Sequence, residues 1–179
     1  MILLHEFLSK EFIYDSLKRI NRVLASRNLY MNLKVVGGAA LIFNGIKSVD
    51  TQDVDTLIKL SQEIKDICSE SSLDINDDVL DYFDNFENAD FIEDTSKSFS
   101  NISISYLDLP YVVKTKLKNC QEEDKILKLA FLLKDELGVE LTVNGISDFL
   151  LEYGVEPDIY DIEEYLNSLE QTDYFYFDD

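Results

Sequence analysis

The stretch "VVGGAALIFNGIKSVDTQDVDTLIKL", residues 35–60, sets a glycine pair behind an apolar stub and two aspartates ahead of an apolar run. Leu33 to Val36 reads as a short strand ending at Gly37-Gly38, and Ala39 to Phe43 as a short helix stopped by Asn44-Gly45. Val54 to Leu60 reads as a second strand, with Leu57 and Ile58 in its apolar part. A glycine pair between strand and helix permits a tight turn and lets backbone N–H groups approach a phosphate. Taken alone it is equally the signature of a plain turn, and it lacks the G-x-G-x-x-G of a dinucleotide site. Asp53 and Asp55 add a constraint. Residues i and i+2 of a strand share a face, so both carboxylates converge. Like charges that close repel unless a cation lies between them or one is protonated. Oxygen ligands of this kind suit Mg²⁺. The competing reading is a solvated acidic loop.

Outward from this stretch, Ser9 to Arg27 has Ile13, Leu17, Ile20 and Leu24 at helical spacing, and Gln62 to Ser69 continues as a helix after the second strand. Between Leu73 and Asp94, "LDINDDVLDYFDNFENADFIED" carries a helical stripe of Val79, Leu80, Phe83 and Phe86. It predicts a helix over Asp77 to Asn88 and a short strand in "ADFIED". "NISISYLDL" alternates Ile102, Ile104 and Tyr106 with Ser103 and Ser105, the period of a half-buried strand. Beyond Pro110 the pattern is helical, over Tyr111–Asn119, Asp124–Glu136, Ile146–Glu152 and Ile159–Leu169, with Pro157 and the glycines 138, 145 and 154 as breaks. The expected fold is α/β, a small mixed sheet flanked by helices with a helical C-terminal part. A length of 179 residues suits one domain, with an α/β core over 1–110 and the helical part over 111–179.

Composition narrows the function classes. With 46% apolar and 29% charged residues the chain has the balance of a globular protein. No apolar run approaches the ~20 residues of a membrane helix. Met1 to Leu8 has no basic region and no small-residue cleavage site, so no signal peptide is expected. Cys68 and Cys120 lack metal spacing and read as reduced packing residues, which fits a cytoplasmic location. His5 is the single histidine, so zinc chemistry and His-based nucleophilic catalysis have no support. The 36 acidic against 16 basic residues give a formal charge of -20, a field that opposes contact with nucleic acid or anionic lipid. Such a charge serves solubility, cation binding, or imitation of a phosphate backbone.

Three enzyme families use an Asp-x-Asp. "DVDTL" fits the start of haloacid-dehalogenase-like phosphatases, but those, like the Asp-x-Asp glycosyltransferases, need an apolar strand leading into the first aspartate. Here Ser48, Val49, Asp50, Thr51 and Gln52 precede it, and the apolar residues follow. The order strand, Gly-Gly, short helix, Gly, Thr-x-Asp-x-Asp, strand resembles the nucleotidyltransferase superfamily, in particular AbiEii-like and minimal-nucleotidyltransferase-like bacterial proteins. Gly37, Gly38, Gly45, Thr51, Asp53 and Asp55 fall where that pattern has them. Ala39 departs from its frequent Ser or Thr, and Lys47 from its frequent Arg. Fainter parallels are Lys114, at the start of a helix after a later strand, and Asp124, preceded by Glu123 instead of a basic residue.

The resemblance implies metal-dependent transfer of a nucleotide from a nucleoside triphosphate to an RNA, protein or small-molecule acceptor, in a setting such as toxin–antitoxin systems or phage defence. It implies Mg²⁺ or Mn²⁺ on Asp53 and Asp55, with a third carboxylate from a neighbouring strand completing a two-metal site. Asp90 is the choice for that residue, as metal ligand and catalytic base, and Asp74 and Asp108 are rivals. Gly37, Gly38, Thr51 and Lys114 would bind the nucleotide. The second hypothesis is an acidic protein of the same fold that has lost catalysis. It would act as an inhibitor or nucleic-acid mimic, an anti-CRISPR protein for example, whose partner is a basic nucleic-acid-binding protein. No membrane partner is expected.

Overall fold

The computed structural model describes residues 7–47, 49–79 and 88–174. The chain divides into two compact units, Met1–Leu109 and Pro110–Asp179.

The first unit is a five-stranded mixed sheet with helices. Helix α1 (Lys10–Ser26) starts where the Ser9 hydroxyl accepts the N–H of Phe12, and it buries Ile13, Leu17, Ile20 and Leu24. The apolar spacing of the sequence therefore becomes the buried stripe. Strand β1 (Met31–Val36) runs into α2 (Gly37–Phe43), and Asn44-Gly45 closes that helix, with Gly45 at φ 88°. Strand β2 (Val54–Thr56) follows, then α3 (Gln62–Glu70), whose Ser61 hydroxyl caps Ile64. Three strands complete the sheet: β3 (Ile75–Asn76), β4 (Phe91–Glu93) and β5 (Ile102–Leu107). The order is β3-β2-β1-β5-β4, with β1 antiparallel to β2 and parallel to β5, β2 parallel to β3, and β4 antiparallel to β5.

Registers assign each side chain to a face, because strand residues alternate. Met31, Leu33 and Val35 lie beside Ile102, Ile104 and Tyr106. This is the core face. The Cys68 sulfur of α3 lies 3.8 Å from that of Met31, and the Phe43 ring stacks on Tyr106 with centroids 5.4 Å apart. The other face carries Asn32, Lys34, Ser103 and Ser105, and there the Ser103 hydroxyl donates to Asn32 Oδ1 at 3.1 Å. Val36 pairs with Asp55, which places Asp55 on this second, polar face.

Three expectations change. The second strand ends at Thr56 and does not reach Leu60. The buried Thr56 hydroxyl accepts the N–H groups of Lys34 and Ile58, which ends the regular pairing and turns the chain. Strand β3 was not expected; it lies inside the acidic stretch. The helix expected over Asp77–Asn88 falls largely on residues 80–87, outside the described residues, and Asp77, Asp78 and Val79 at its start are not helical.

The second unit is helical: α4 (Leu109–Asn119), α5 (Glu123–Phe131), a π-helical turn (Leu132–Glu136), α6 (Val143–Glu152) and α7 (Ile159–Glu170). Its packing centres on Tyr165, buried with its hydroxyl donating to the Ile126 carbonyl at 3.1 Å. Among the described residues no helix is long and apolar enough to cross a membrane.

Candidate functional site

The glycine pair lies against the Thr-x-Asp-x-Asp segment. Val54 and Thr56 are buried while Asp53 and Asp55 are half-buried, so both carboxylates take the side away from Val54. Asp55 is the middle residue of β2, and Asp53 immediately precedes the strand. Gly37, at φ 64°, occupies the left-handed region where a side chain is disfavoured. A methyl group on Gly37 would also meet Asp55 Oδ2 at 2.8 Å. A methyl on Gly38 would meet Thr51 Cβ at 2.9 Å. Each glycine thus admits one named side chain of the Thr-x-Asp-x-Asp segment against the backbone. Gly37 thus lies beside Asp55, and Gly38 faces Thr51. Thr51 is itself tied down, its carbonyl accepting the Leu8 N–H at 2.9 Å and its hydroxyl donating to the Asp53 carbonyl at 3.3 Å.

Strand β3 supplies the other wall. The Val54 N–H donates to the Asp74 carbonyl at 2.9 Å, and Asp55 pairs in register with Asn76. Asn76 Nδ2 donates to Asp55 Oδ1 at 3.0 Å. Burial first, and then the negative charge of Asp74, push the Asp53 carboxyl above the ordinary aspartate range. A cation would relieve that repulsion.

Asp90 stands at the start of β4, and β1 and β5 intervene between that strand and β2. Its carbonyl accepts the N–H of Asp108 at 3.0 Å. Strand order therefore brings Asp74, and not Asp90, beside the aspartate pair. Lys114 lies on α4 in the second unit, where its ammonium donates to the Glu156 carbonyl at 2.6 Å. Among the described residues no group of three or more Asp, Glu, His or Cys side chains is gathered to hold a metal. Two carboxylates nonetheless fit Mg²⁺, which keeps several waters and is often held by one or two carboxylates together with substrate phosphates.

Sequence reasoning missed Asn76 and Asp77. Asp77 is 2% exposed and ties three segments. It accepts the Leu60 N–H at 2.9 Å and pairs with Lys65 at 2.8 Å and Lys59 at 3.9 Å. A carboxylate with a lysine on each of two separate elements has no local signature.

A first strand that runs into Gly37-Gly38 and an antiparallel neighbour that carries Asp55 directly after Asp53-Val54 agree with the nucleotidyltransferase resemblance. Residues 14–148 match the family described as nucleotidyltransferase of unknown function (DUF6036), and the chain belongs to that family. No curated protein and no solved structure matches it.

Gly37→Ala and Gly45→Ala form a matched test. Both glycines have positive φ, but a methyl at Gly45 meets nothing within 4 Å. Each change is expected to cost about 1–2 kcal/mol of stability through backbone strain. Gly37→Ala alone should also weaken any nucleotide binding at this turn, because the methyl displaces Asp55. Melting curves and nucleotide titration of both variants check this.

Proposed function

We propose that the protein transfers a nucleotidyl group from a nucleoside triphosphate to a hydroxyl of an RNA, protein or small-molecule acceptor, with Mg²⁺ or Mn²⁺ on Asp53 and Asp55. The observation that supports the reading is the fit of Asp55 against Gly37, which sets the glycine turn against the aspartate segment. The triphosphate would lie along the Gly37-Gly38 backbone, where the absence of side chains permits close approach. The acceptor oxygen forms a bond to the α-phosphorus as the bond to the pyrophosphate oxygen breaks, and pyrophosphate leaves. When bound, the cation would offset charge on the phosphates and on the attacking and leaving oxygens. The acceptor proton needs a carboxylate base. Asp74 is proposed for that role in preference to Asp90, on the support of its place beside Asp53.

The test is incubation with labelled nucleoside triphosphates, Mg²⁺ and total cellular RNA and protein. Label transfer by the wild type and none by Asp53→Asn is the expected result. No transfer by wild type to any acceptor would sink the reading.

One observation favours the second hypothesis, an acidic binding protein. From Asp135 to Asp179 the chain contains no Lys, Arg or His. If that surface carries the biological activity, Glu163→Lys with Glu164→Lys and Glu170→Lys, all exposed positions, should abolish it while Asp53→Asn leaves it intact. The nucleotidyl-transfer proposal requires the reverse order.

A further inference from the structure

Resting on the nucleotidyl-transfer reading, we infer that the site takes one divalent cation and that Asn76 sets this number by occupying the flank of Asp55 where a second would bind. Asn76 stands opposite Asp55 in the β2–β3 register. Its amide orientation follows from its two partners. Asn76 Oδ1 accepts the backbone N–H of Asp78 at 3.1 Å, a group that can only donate. The NH₂ end is therefore turned to Asp55 Oδ1, at 3.0 Å. An NH₂ group has hydrogens to offer and no lone pair for a metal, so it repels a cation from the side of Asp55 that faces β3.

Asp74, immediately before β3, precedes Ile75, the partner of Val54, and so falls beside Asp53 and not beside Asp55. Its charge is felt at Asp53. A two-cation centre holds its ions about 3.5–4 Å apart and needs carboxylate oxygen between and around both. Here the fourth corner of the patch formed by Asp53, Asp55, Asp74 and residue 76 is an amide. One cation on Asp53 and the Oδ2 side of Asp55, completed by phosphate oxygens and water, uses the groups present. Asn76 is then a positioning residue: its hydrogen bond holds one oxygen of Asp55 so that the other stays over Gly37.

Mn²⁺ with an α,β-methylene nucleoside triphosphate tests this by electron paramagnetic resonance on the full chain, with protein in excess of nucleotide. Wild type is expected to bind one Mn²⁺ per nucleotide with an uncoupled hyperfine pattern. Asn76→Asp should admit a second ion, with the broadened spectrum of a spin-coupled pair. Asn76→Ala, which removes the donor and adds no carboxylate, should keep one ion but bind it about tenfold more weakly. Melting curves establish that each variant is folded. A coupled pair in wild type overturns the inference and leaves nucleotidyl transfer standing. A single ion in folded Asn76→Asp, or unchanged affinity in Asn76→Ala, overturns the role of Asn76. If wild type binds no Mn²⁺ even with nucleotide, the nucleotidyl-transfer reading falls and this inference falls with it.

Discussion

Mg²⁺ or Mn²⁺ together with a nucleoside triphosphate is expected to raise the melting temperature by roughly 5–10 °C, more than either component alone. A ligand that binds only the folded state stabilises it by ~2.7 kcal/mol at a hundred times its dissociation constant. For a chain of this size each kcal/mol moves Tm by roughly 2–4 °C. The cation has a specific reason to stabilise this fold. Asp53 is crowded by burial and by Asp74, and Asp55 is pinned between Asn76 and the Gly37 backbone, so negative charge is held in place on folding. Screening of the -20 net charge would also raise Tm, and equal ionic strength of NaCl isolates that contribution because it screens without filling the site. Asp53→Asn with Asp55→Asn should lose the extra shift and keep the response to NaCl. Equal shifts in wild type and double variant would remove the metal site and move the acidic-surface hypothesis ahead.

Local sequence pattern reached the parts of this molecule that depend on near neighbours. The α1 stripe of Ile13, Leu17, Ile20 and Leu24 and the alternation of Ile102, Ile104 and Tyr106 are periodic signals; the stripe, Ile102 and Ile104 are buried and Tyr106 is half-buried. Gly37 and Asp55 were legible because each obeys a local rule: a turn that needs positive φ, and carboxylates two residues apart on an extended segment. What escaped is non-local. Strand β3 is two residues long and lies in a segment whose Val79, Leu80, Phe83 and Phe86 read as a helical stripe. Its pairing with β2 is a property of the sheet. The sheet order is non-local in the same way: it inserts β1 and β5 between β4, which Asp90 precedes, and the aspartates. Thr56 shortened β2 through a hydroxyl that captures the Lys34 N–H, 22 positions away. Asn76 and Asp77 sit in the acidic stretch, where one more Asn or Asp carries little information about a site until its partner is known.

Loss of Asp77 is expected to cost measurable stability without touching the aspartate pair. Its carboxylate is buried among the Leu60 N–H, Lys65 and Lys59, and so joins the segment after β2, the helix α3 and the segment after β3. The Lys65 hydrogen bond first, then that of the Leu60 N–H, hold the Asp77 carboxyl below the ordinary aspartate range. Breaking a fully buried ion pair from one side costs about 3–5 kcal/mol. The Lys65 side chain is 34% exposed, so water compensates part of the loss and Asp77→Ala should cost about 2–3 kcal/mol. That corresponds to a fall in Tm of roughly 5–10 °C. Asp77→Asn keeps an acceptor for Leu60 and should cost less. The pH dependence fixes the cause. A carboxyl whose folded-state pKa is depressed contributes stability that is complete above its unfolded value of about 3.9 and is lost as pH falls through the folded value. The stability gap between wild type and Asp77→Asn should therefore be constant at neutral pH and close below about pH 4. Denaturant unfolding of both proteins across that window measures it. A gap that stays open in acid would show that Asp77 acts through shape and packing and not through its charge on Lys65.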